Sequence, residues 1–123
     1  MFLAPENMIK AIRTYLENDK LPMDIVINSV YHSLAKSYAD VVSEIESING
    51  KTVDTINIVG GGSKDKYLNK LTANYTGKRV LAGPVEATAT GNIISQMLYS
   101  KEIATLEEAR ELVKKSFDIQ EVI

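Results

Sequence analysis

Cysteine is absent from the sequence, and the apolar runs are short and interrupted by polar residues. Without cysteine, neither a disulfide framework nor a thiolate metal site can form, which fits a reducing compartment. No apolar stretch approaches the roughly 20 residues that a transmembrane helix needs. The first thirty residues also lack a basic-then-apolar signal pattern. We therefore expect a cytoplasmic protein with no membrane partner.

An excess of charge of one sign is lacking as well. Fourteen basic residues stand against sixteen acidic ones, and no Lys/Arg cluster is dense enough to neutralise a run of phosphates. We therefore expect no nucleic-acid partner. The length of 123 residues corresponds to one compact domain or to a piece of a larger one, and a hydrophobic content of 45% is enough to build a core.

Apolar periodicity predicts two helices in the first fifty residues. Residues 8–16 form a short amphipathic pattern, with Pro5 suited to the first turn. Residues 24–48 form a longer one, with Asp24 placed to cap it and Gly50 placed to end it. The apolar stripe of this longer helix consists of Ile27, Val30, Tyr31, Leu34, Tyr38, Val41, Val42, Ile45 and Ile48.

The pattern then changes to a strand, a helix and a second strand. Residues 55–59 are rich in β-branched side chains and predict a buried strand that runs into a glycine loop. A helix is expected from Ser63, with Gly77 just past its end, and residues 79–82 predict another short strand. A crossover of this length favours parallel strands joined in the right-handed sense. The predicted class is α/β, with two short parallel strands and several helices.

Two more helices are predicted after the second strand, over residues 86–100 and 105–117. Thr105 and Glu108 form a capping-box pattern at the start of the last one. Gly91 lies inside the other, where we expect close packing against a neighbouring segment to compensate for the missing side chain. Two parallel strands alone make a poor sheet, so we expect either a partner chain, such as a second copy in a homodimer, or further strands upstream.

The glycine loop is the main candidate for a binding site. Gly60, Gly61, Gly62 and Ser63 follow a strand and precede a helix, which is where open α/β sheets bind ligands. The pattern is neither GxxxxGK[ST] nor GxGxxG, because Asp65 occupies the position of the third glycine. A flat ligand lying against the peptide planes would explain three glycines, and a sharp turn is the alternative explanation.

Other polar residues favour structural roles. His32 has no sequence neighbours that indicate a triad or a metal site, and we expect it at the surface or at the boundary of the core. Glu86 lies in the first turn of a helix, where the dipole favours a carboxylate. Lys64 and Lys66 could meet phosphate oxygens or could simply be solvated. The tyrosines are spaced as core and boundary residues: Tyr15, Tyr31, Tyr38, Tyr67, Tyr75 and Tyr99.

Two segments carry a family resemblance. Residues 56–63 (INIVGGGS), followed by residues 79–92 (RVLAGPVEATATGN), resemble the C-terminal end of the rhamnulokinase branch of the FGGY carbohydrate kinases. Residues 2–5 (FLAP) and 29–35 (SVYHSLA) are similar to the same family. The resemblance implies that residues 1–123 are the C-terminal portion of an actin-like, ribonuclease H-like ATPase domain, with the upstream strands and the whole N-terminal domain outside this chain.

The resemblance also implies a nucleotide site. The adenosine part of ATP is expected to contact Gly61 with its neighbours Gly60 and Gly62, and a ribose- or adenine-side contact falls on Asp65, where many relatives have asparagine. A whole enzyme of this family transfers the γ-phosphoryl group of ATP to the 1-hydroxyl of rhamnulose, and it needs Mg²⁺ and an aspartate base. The family keeps these groups upstream, so no catalytic or metal-binding residue is assigned to this chain, which is expected to be inactive alone.

Three other interpretations remain open from the sequence. The sugar could be another ketose, such as xylulose. The chain could instead be a non-catalytic interaction or dimerisation domain, in which the long helix and the sheet edge form the interface and the glycine loop is only a turn. It could also be a small regulatory module that binds ATP or ADP without a sugar.

Overall fold

The computed structural model describes residues 3–122. Both predicted strands and all five predicted helices are confirmed, with ends that agree with the prediction to within three residues. No helix of the described residues is long and apolar enough to cross a membrane. The elements, in chain order, are α1 (Met8–Tyr15), α2 (Met23–Asn49), β1 (Thr55–Ile58), a short 3-10 helix (Gly61–Lys64), α3 (Lys66–Thr76), β2 (Arg79–Ala82), α4 (Ala87–Tyr99), α5 (Leu106–Ser116) and β3 (Gln120–Val122).

The sheet has three strands in the order β1-β2-β3. β1 and β2 are parallel, with Ile56 opposite Val80, which confirms the predicted parallel pair. β3 is antiparallel to β2, with Leu81 opposite Glu121. The prediction of only two strands is therefore wrong. The three residues of β3 are mostly polar and show no apolar alternation, because this strand forms by backbone pairing with β2 rather than by burying a face.

One bidentate ion pair also links β3 to β2. The guanidinium of Arg79 donates to both carboxylate oxygens of Glu121, at 2.7 and 2.8 Å, and so joins the edge of β2 to β3. The two side chains are about half exposed, so this bidentate pair adds geometric specificity more than stability.

The helix ends follow the predicted signals in part. Gly50 and Gly77 end α2 and α3 in the left-handed conformation, as predicted, with φ of 62° and 64°. The prediction that Asp24 caps α2 is wrong. Pro22 is already extended, so the helix begins one residue earlier than Asp24, which lies in its first turn without a capping bond. Pro5 likewise lies before α1, whose cap is the side chain of Asn7.

The cap of α5 is a modified capping box. The hydroxyl of Thr105 accepts a hydrogen bond from the backbone N–H of Glu108 at 3.1 Å, as predicted. The carboxylate of Glu108 accepts from the N–H of Ala104 at 2.9 Å rather than from that of Thr105. Two otherwise unpaired donors at the helix start are still satisfied.

The core lies where α3 packs between α2 and the sheet. Val80, in the central strand, is fully buried, and Leu71 and Thr72 of α3 are buried with it. Val26 and Ala35 are the buried residues of α2. A cluster of this size fixes one helix pair on the sheet. The glycine loop connects β1 to α3 at the surface of this core.

Much of the apolar stripe of α2 remains exposed. Seven of its side chains, at heptad-like spacing, are exposed by 38–76%. An exposed apolar surface of this length is typical of an interface. The residues are Ile27, Val30, Leu34, Tyr38, Val41, Ile45 and Ile48.

Gly83 and Gly91 together test how the C-terminal segment that contains β3 packs against the rest of the chain. Gly83 has φ of +122°, and a Cβ there would lie 2.9 Å from the carbonyl oxygen of Asp118, just before β3. At Gly91 an added Cβ would meet no atom of residues 3–122 within 4 Å. The expected close packing of Gly91 is therefore wrong for this chain, because α4 presents that side to open space.

We expect Gly83→Ala to lower the free energy of unfolding by about 1–3 kcal/mol through backbone strain and the clash with the segment before β3. Gly91→Ala should instead raise it by about 0.5–1 kcal/mol, because alanine favours the helix. Urea unfolding at equilibrium measures both. Equal effects of the two substitutions would contradict the observed position of β3.

Glu46 holds the two segments that lead into the parallel strands. Its Oε1 accepts from the ammonium group of Lys78 at 2.6 Å and from the backbone N–H of Val53 at 2.7 Å. The hydrogen bond from Lys78, followed by that from Val53, lowers the pKa of Glu46 below its ordinary value of 4.5. A lowered folded-state pKa stabilises the protein above the unfolded-state pKa, and this contribution is lost as the pH falls through the folded-state value.

Glu46→Gln should therefore destabilise the protein at pH 7, and the difference from the unsubstituted chain should shrink below about pH 4.5, the ordinary glutamate value. Thermal unfolding followed over pH 2–8 measures this. Glu111→Gln is the matched control, since Glu111 pairs with Lys114 on an exposed helix face. A Glu46→Gln effect no larger than that of the control would contradict the structural role of Glu46.

Candidate functional site

The glycine turn consists of Gly60 and the 3-10 helix Gly61–Lys64, and it joins β1 to α3. Gly60 has φ of 76° and ψ of −164°, a conformation open essentially to glycine alone. Its N–H donates to the carbonyl of Pro84 at 2.9 Å, and its carbonyl accepts from the N–H and the hydroxyl of Ser63 at 3.1 and 2.7 Å. The backbone of the turn itself therefore requires the first glycine.

Gly61 and Gly62 differ from Gly60. Neither has a positive φ, and a Cβ at either position would meet no atom of residues 3–122 within 4 Å. Both are exposed. The turn alone does not require glycine at these two positions, because a side chain would fit there without strain. Their peptide planes are open to a molecule from outside the chain.

Asp65 ends the glycine turn and begins α3. Its Oδ1 accepts from the N–H of Leu68 at 3.0 Å, which is an N-cap bond. Its Oδ2 accepts from the hydroxyl of Tyr31 at 2.9 Å. A carboxylate has about four acceptor sites, so Asp65 retains the capacity to accept from a ribose hydroxyl. The hydrogen bond to Asp65, and then the charge of that carboxylate, raise the pKa of Tyr31.

Asn69 is a site residue that the sequence did not reveal. Its Nδ2 donates to the carbonyl of Ser63 at 2.9 Å, and its side chain is 2% exposed. Its Oδ1 is buried and accepts no hydrogen bond from residues 3–122. The one available signal was an asparagine on the apolar side of α3 between Leu68 and Leu71. Asn69 fixes the carbonyl of Ser63 and so restrains the glycine turn from the α3 side.

An open cleft of about 600 Å³ lies beside the glycine turn. Ser63 and Lys64 of the turn line it, together with the first half of α3, the end of β2 and strand β3. The three glycines do not line this cleft. The structure therefore brings Ser63 and Lys64 to the cleft and leaves the exposed backbone of Gly61 and Gly62 outside it.

The other candidate side chains take structural positions. His32 is half-buried, and its Nδ1 lies 2.9 Å from the hydroxyl of Tyr75, which confirms the predicted boundary position. Glu86 caps α4 through its backbone carbonyl and makes no side-chain capping bond. Lys64 and Lys66 are exposed. Within residues 3–122, no three His, Cys, Asp or Glu side chains come together in a group that could hold a metal ion.

The glycine turn and the segment after β2 both lie in a stretch that matches a known family. Residues 1–99 match the FGGY family of carbohydrate kinases, C-terminal domain. The chain belongs to the FGGY family of carbohydrate kinases. The resemblance seen in the sequence is thereby confirmed, and the small α/β fold with its mixed sheet fits an FGGY C-terminal domain.

Three relatives of this FGGY chain are named rhamnulokinase. The protein of Bacillus subtilis (strain 168) is 44% identical over 97% of this chain and 25% of its own length. Those of Oceanobacillus iheyensis and Halalkalibacterium halodurans are 45% and 42% identical over 96% and 99% of this chain, and over 26% and 27% of their own lengths. The chain thus spans about a quarter of the length of the curated relatives that it matches.

The capping role of Asp65 in the FGGY domain can be tested without a ligand. We expect Asp65→Ala to lower the free energy of unfolding by about 1 kcal/mol through loss of the N-cap. The pKa of Tyr31 should fall towards its ordinary value, because the two largest causes of its rise, the hydrogen bond to Asp65 and the charge of that carboxylate, are removed. Urea unfolding and an NMR titration of isotope-labelled tyrosine measure the two effects.

Asp65→Asn is the matched control for this substitution. Asparagine can still cap α3, so the free energy of unfolding should stay within a few tenths of a kcal/mol of the starting value. Equal destabilisation by Asp65→Ala and Asp65→Asn would contradict a role based on the acceptor oxygen.

Proposed function

We propose that this chain forms the nucleotide side of the active site of an ATP-dependent sugar kinase. The observation that carries the proposal is the open backbone of Gly61 and Gly62, where neither residue has a positive φ and an added Cβ would meet no atom of residues 3–122 within 4 Å. A planar base or a ribose lying against these peptide groups would require the absence of side chains. The adenosine part of ATP is the proposed ligand of Gly60, Gly61, Gly62 and Asp65.

The proposed reaction is transfer of the γ-phosphoryl group of ATP to the 1-hydroxyl of rhamnulose. Support for the sugar comes from the names of the relatives, which are rhamnulokinases at 42–45% identity. Another ketose, such as xylulose, is the alternative substrate. Phosphoryl transfer relies on positioning and on charge stabilisation by Mg²⁺. In this proposal, the groups that hold Mg²⁺ and deprotonate the sugar belong to other parts of the kinase.

The exposed stripe of α2 supports a second candidate function. Seven large apolar side chains along one face of a 27-residue helix form a surface that a partner could cover. In a non-catalytic interaction or dimerisation domain, this surface would be the functional site and the glycine turn would have no ligand. Such a domain should show no change in stability on addition of ATP.

The experiment is a hybrid kinase in which this chain replaces the matching quarter of the Bacillus subtilis relative. We expect the hybrid to bind ATP in a calorimetric titration and to phosphorylate rhamnulose in a coupled assay. Xylulose is assayed in parallel to separate the two candidate sugars. A folded hybrid that neither binds ATP nor phosphorylates a ketose would contradict the proposed function.

Gly61→Val in the hybrid tests the glycine turn directly. A Cβ at this position meets no atom of residues 3–122 within 4 Å, so folding of this part of the hybrid should be preserved. It should block the ligand and raise the KM for ATP at least tenfold, which corresponds to about 1.4 kcal/mol. Gly91→Ala is the control, because Gly91 is also open but lies on α4, and it should leave the KM unchanged. An unchanged KM in Gly61→Val would show that the turn does not contact the nucleotide.

A further inference from the structure

Two tyrosine hydroxyls join the first half of α2 to the start of α3. Tyr31 donates to Oδ2 of Asp65 at 2.9 Å, and Tyr67 donates to Oδ1 of Asn28 at 2.6 Å. The two rings meet edge to face, with centroids 5.3 Å apart. We call these four residues, Asn28, Tyr31, Asp65 and Tyr67, the tyrosine clasp. Tyr31 and Asn28 belong to α2, while Tyr67 and the N-cap residue Asp65 belong to the start of α3. The clasp therefore fixes the start of α3 against the first half of α2.

The clasp acts on the residue where the glycine turn ends. The N–H of Asp65 donates to the carbonyl of Gly62 at 3.1 Å, and its Oδ1 caps α3. Its remaining oxygen is bound by Tyr31 of α2, which lies 34 residues earlier in the chain. The carboxylate is therefore held from the α3 side and from the α2 side at once. The hydroxyl of Tyr31 is the contact that ties this point of the turn to the long helix.

The glycine turn has a physical need for such a tether. Glycine has more backbone freedom than any other residue, and a single turn of 3-10 helix has few internal hydrogen bonds. A ligand that binds a mobile turn loses affinity, because binding must order the turn. A turn that is already ordered in the free protein avoids this loss.

We propose that Tyr31 is a positioning residue for the nucleotide, whose hydroxyl holds Asp65 and thereby orders the exposed backbone of Gly61 and Gly62. This inference rests on the proposed function of the glycine turn. Tyr31 is not a catalytic residue in this proposal, because it acts through Asp65. Removal of its hydroxyl should therefore change the affinity for ATP more than the rate of the chemical step.

Tyr31→Phe in the hybrid kinase tests the proposal, since phenylalanine keeps the ring contact with Tyr67 and removes only the hydroxyl. We expect the KM for ATP to rise about five- to tenfold, less than the full loss of a hydrogen bond to a charged group would give, because the hydroxyl acts on the nucleotide only through Asp65. The kcat should stay within about twofold, because the hydroxyl touches no reacting atom.

Tyr75→Phe is the matched control. Tyr75 also lies on α3, and its hydroxyl also reaches α2, at His32, but it makes no contact with Asp65. It should leave the KM for ATP unchanged. If both substitutions lower stability equally and neither changes the KM, Tyr31 has only a structural role and the proposal fails.

Hydrogen exchange of the turn amides, measured without nucleotide, provides a second readout. We expect the N–H groups of Ser63 and Asp65 to exchange faster in Tyr31→Phe than in Tyr75→Phe.

An unsubstituted hybrid without kinase activity contradicts the proposed function. Unchanged exchange in Tyr31→Phe, or an active Tyr31→Phe hybrid with an unchanged KM for ATP, contradicts the positioning role of Tyr31.

Discussion

The parallel pairing of β1 and β2 positions both the glycine turn after β1 and the loop after β2. The pairing continues past the strands, where Gly83 donates to the carbonyl of Ile58 at 2.8 Å and Gly60 donates to the carbonyl of Pro84 at 2.9 Å. These two bonds bring both loops to the same edge of the sheet. Parallel strands need a crossover connection, and α3, which begins directly after the glycine turn, supplies it between β1 and β2. The glycine turn is the segment that makes this change of direction possible.

The three glycines of this turn have two different explanations. Gly60 is required by a backbone conformation that other residues rarely adopt, and the carbonyl of Pro84 fixes it there. Gly61 and Gly62 have neither a positive φ nor a close neighbour in the described part of the chain. A ligand that lies against their backbone supplies a reason for the second and third glycines that the protein fold does not supply.

Local sequence signals predicted most of the secondary structure. Apolar spacing located the helices, and Gly50 and Gly77 located the ends of two of them, because these effects depend on neighbouring residues only. Strand β3 was missed, since its pairing with β2 depends on a partner about forty residues away and not on its own polar residues. The expected packing of Gly91 was wrong for a related reason, as a small residue in a helix does not reveal what it faces.

The residues of the candidate site were likewise predictable from the sequence only in part. The glycine loop stood out in the sequence through its position between a strand and a helix, and Asp65 was assigned from the family resemblance. Tyr31 and Asn69 did not stand out, because their contacts with Asp65 and Ser63 appear only when α2 and α3 pack together. Long-range hydrogen bonds of this kind leave no periodic pattern, so a sequence can suggest the residues of a turn without revealing the residues that hold it.

We place the proposed nucleotide site on the open backbone of the glycine turn. The most direct measurement is a crystal structure of the hybrid kinase with bound ADP. We expect the adenosine part to lie against the peptide planes of Gly61 and Gly62, beside Asp65. Adenosine bound in the cleft between α3 and β3, with the exposed face of the glycine turn free, would contradict it.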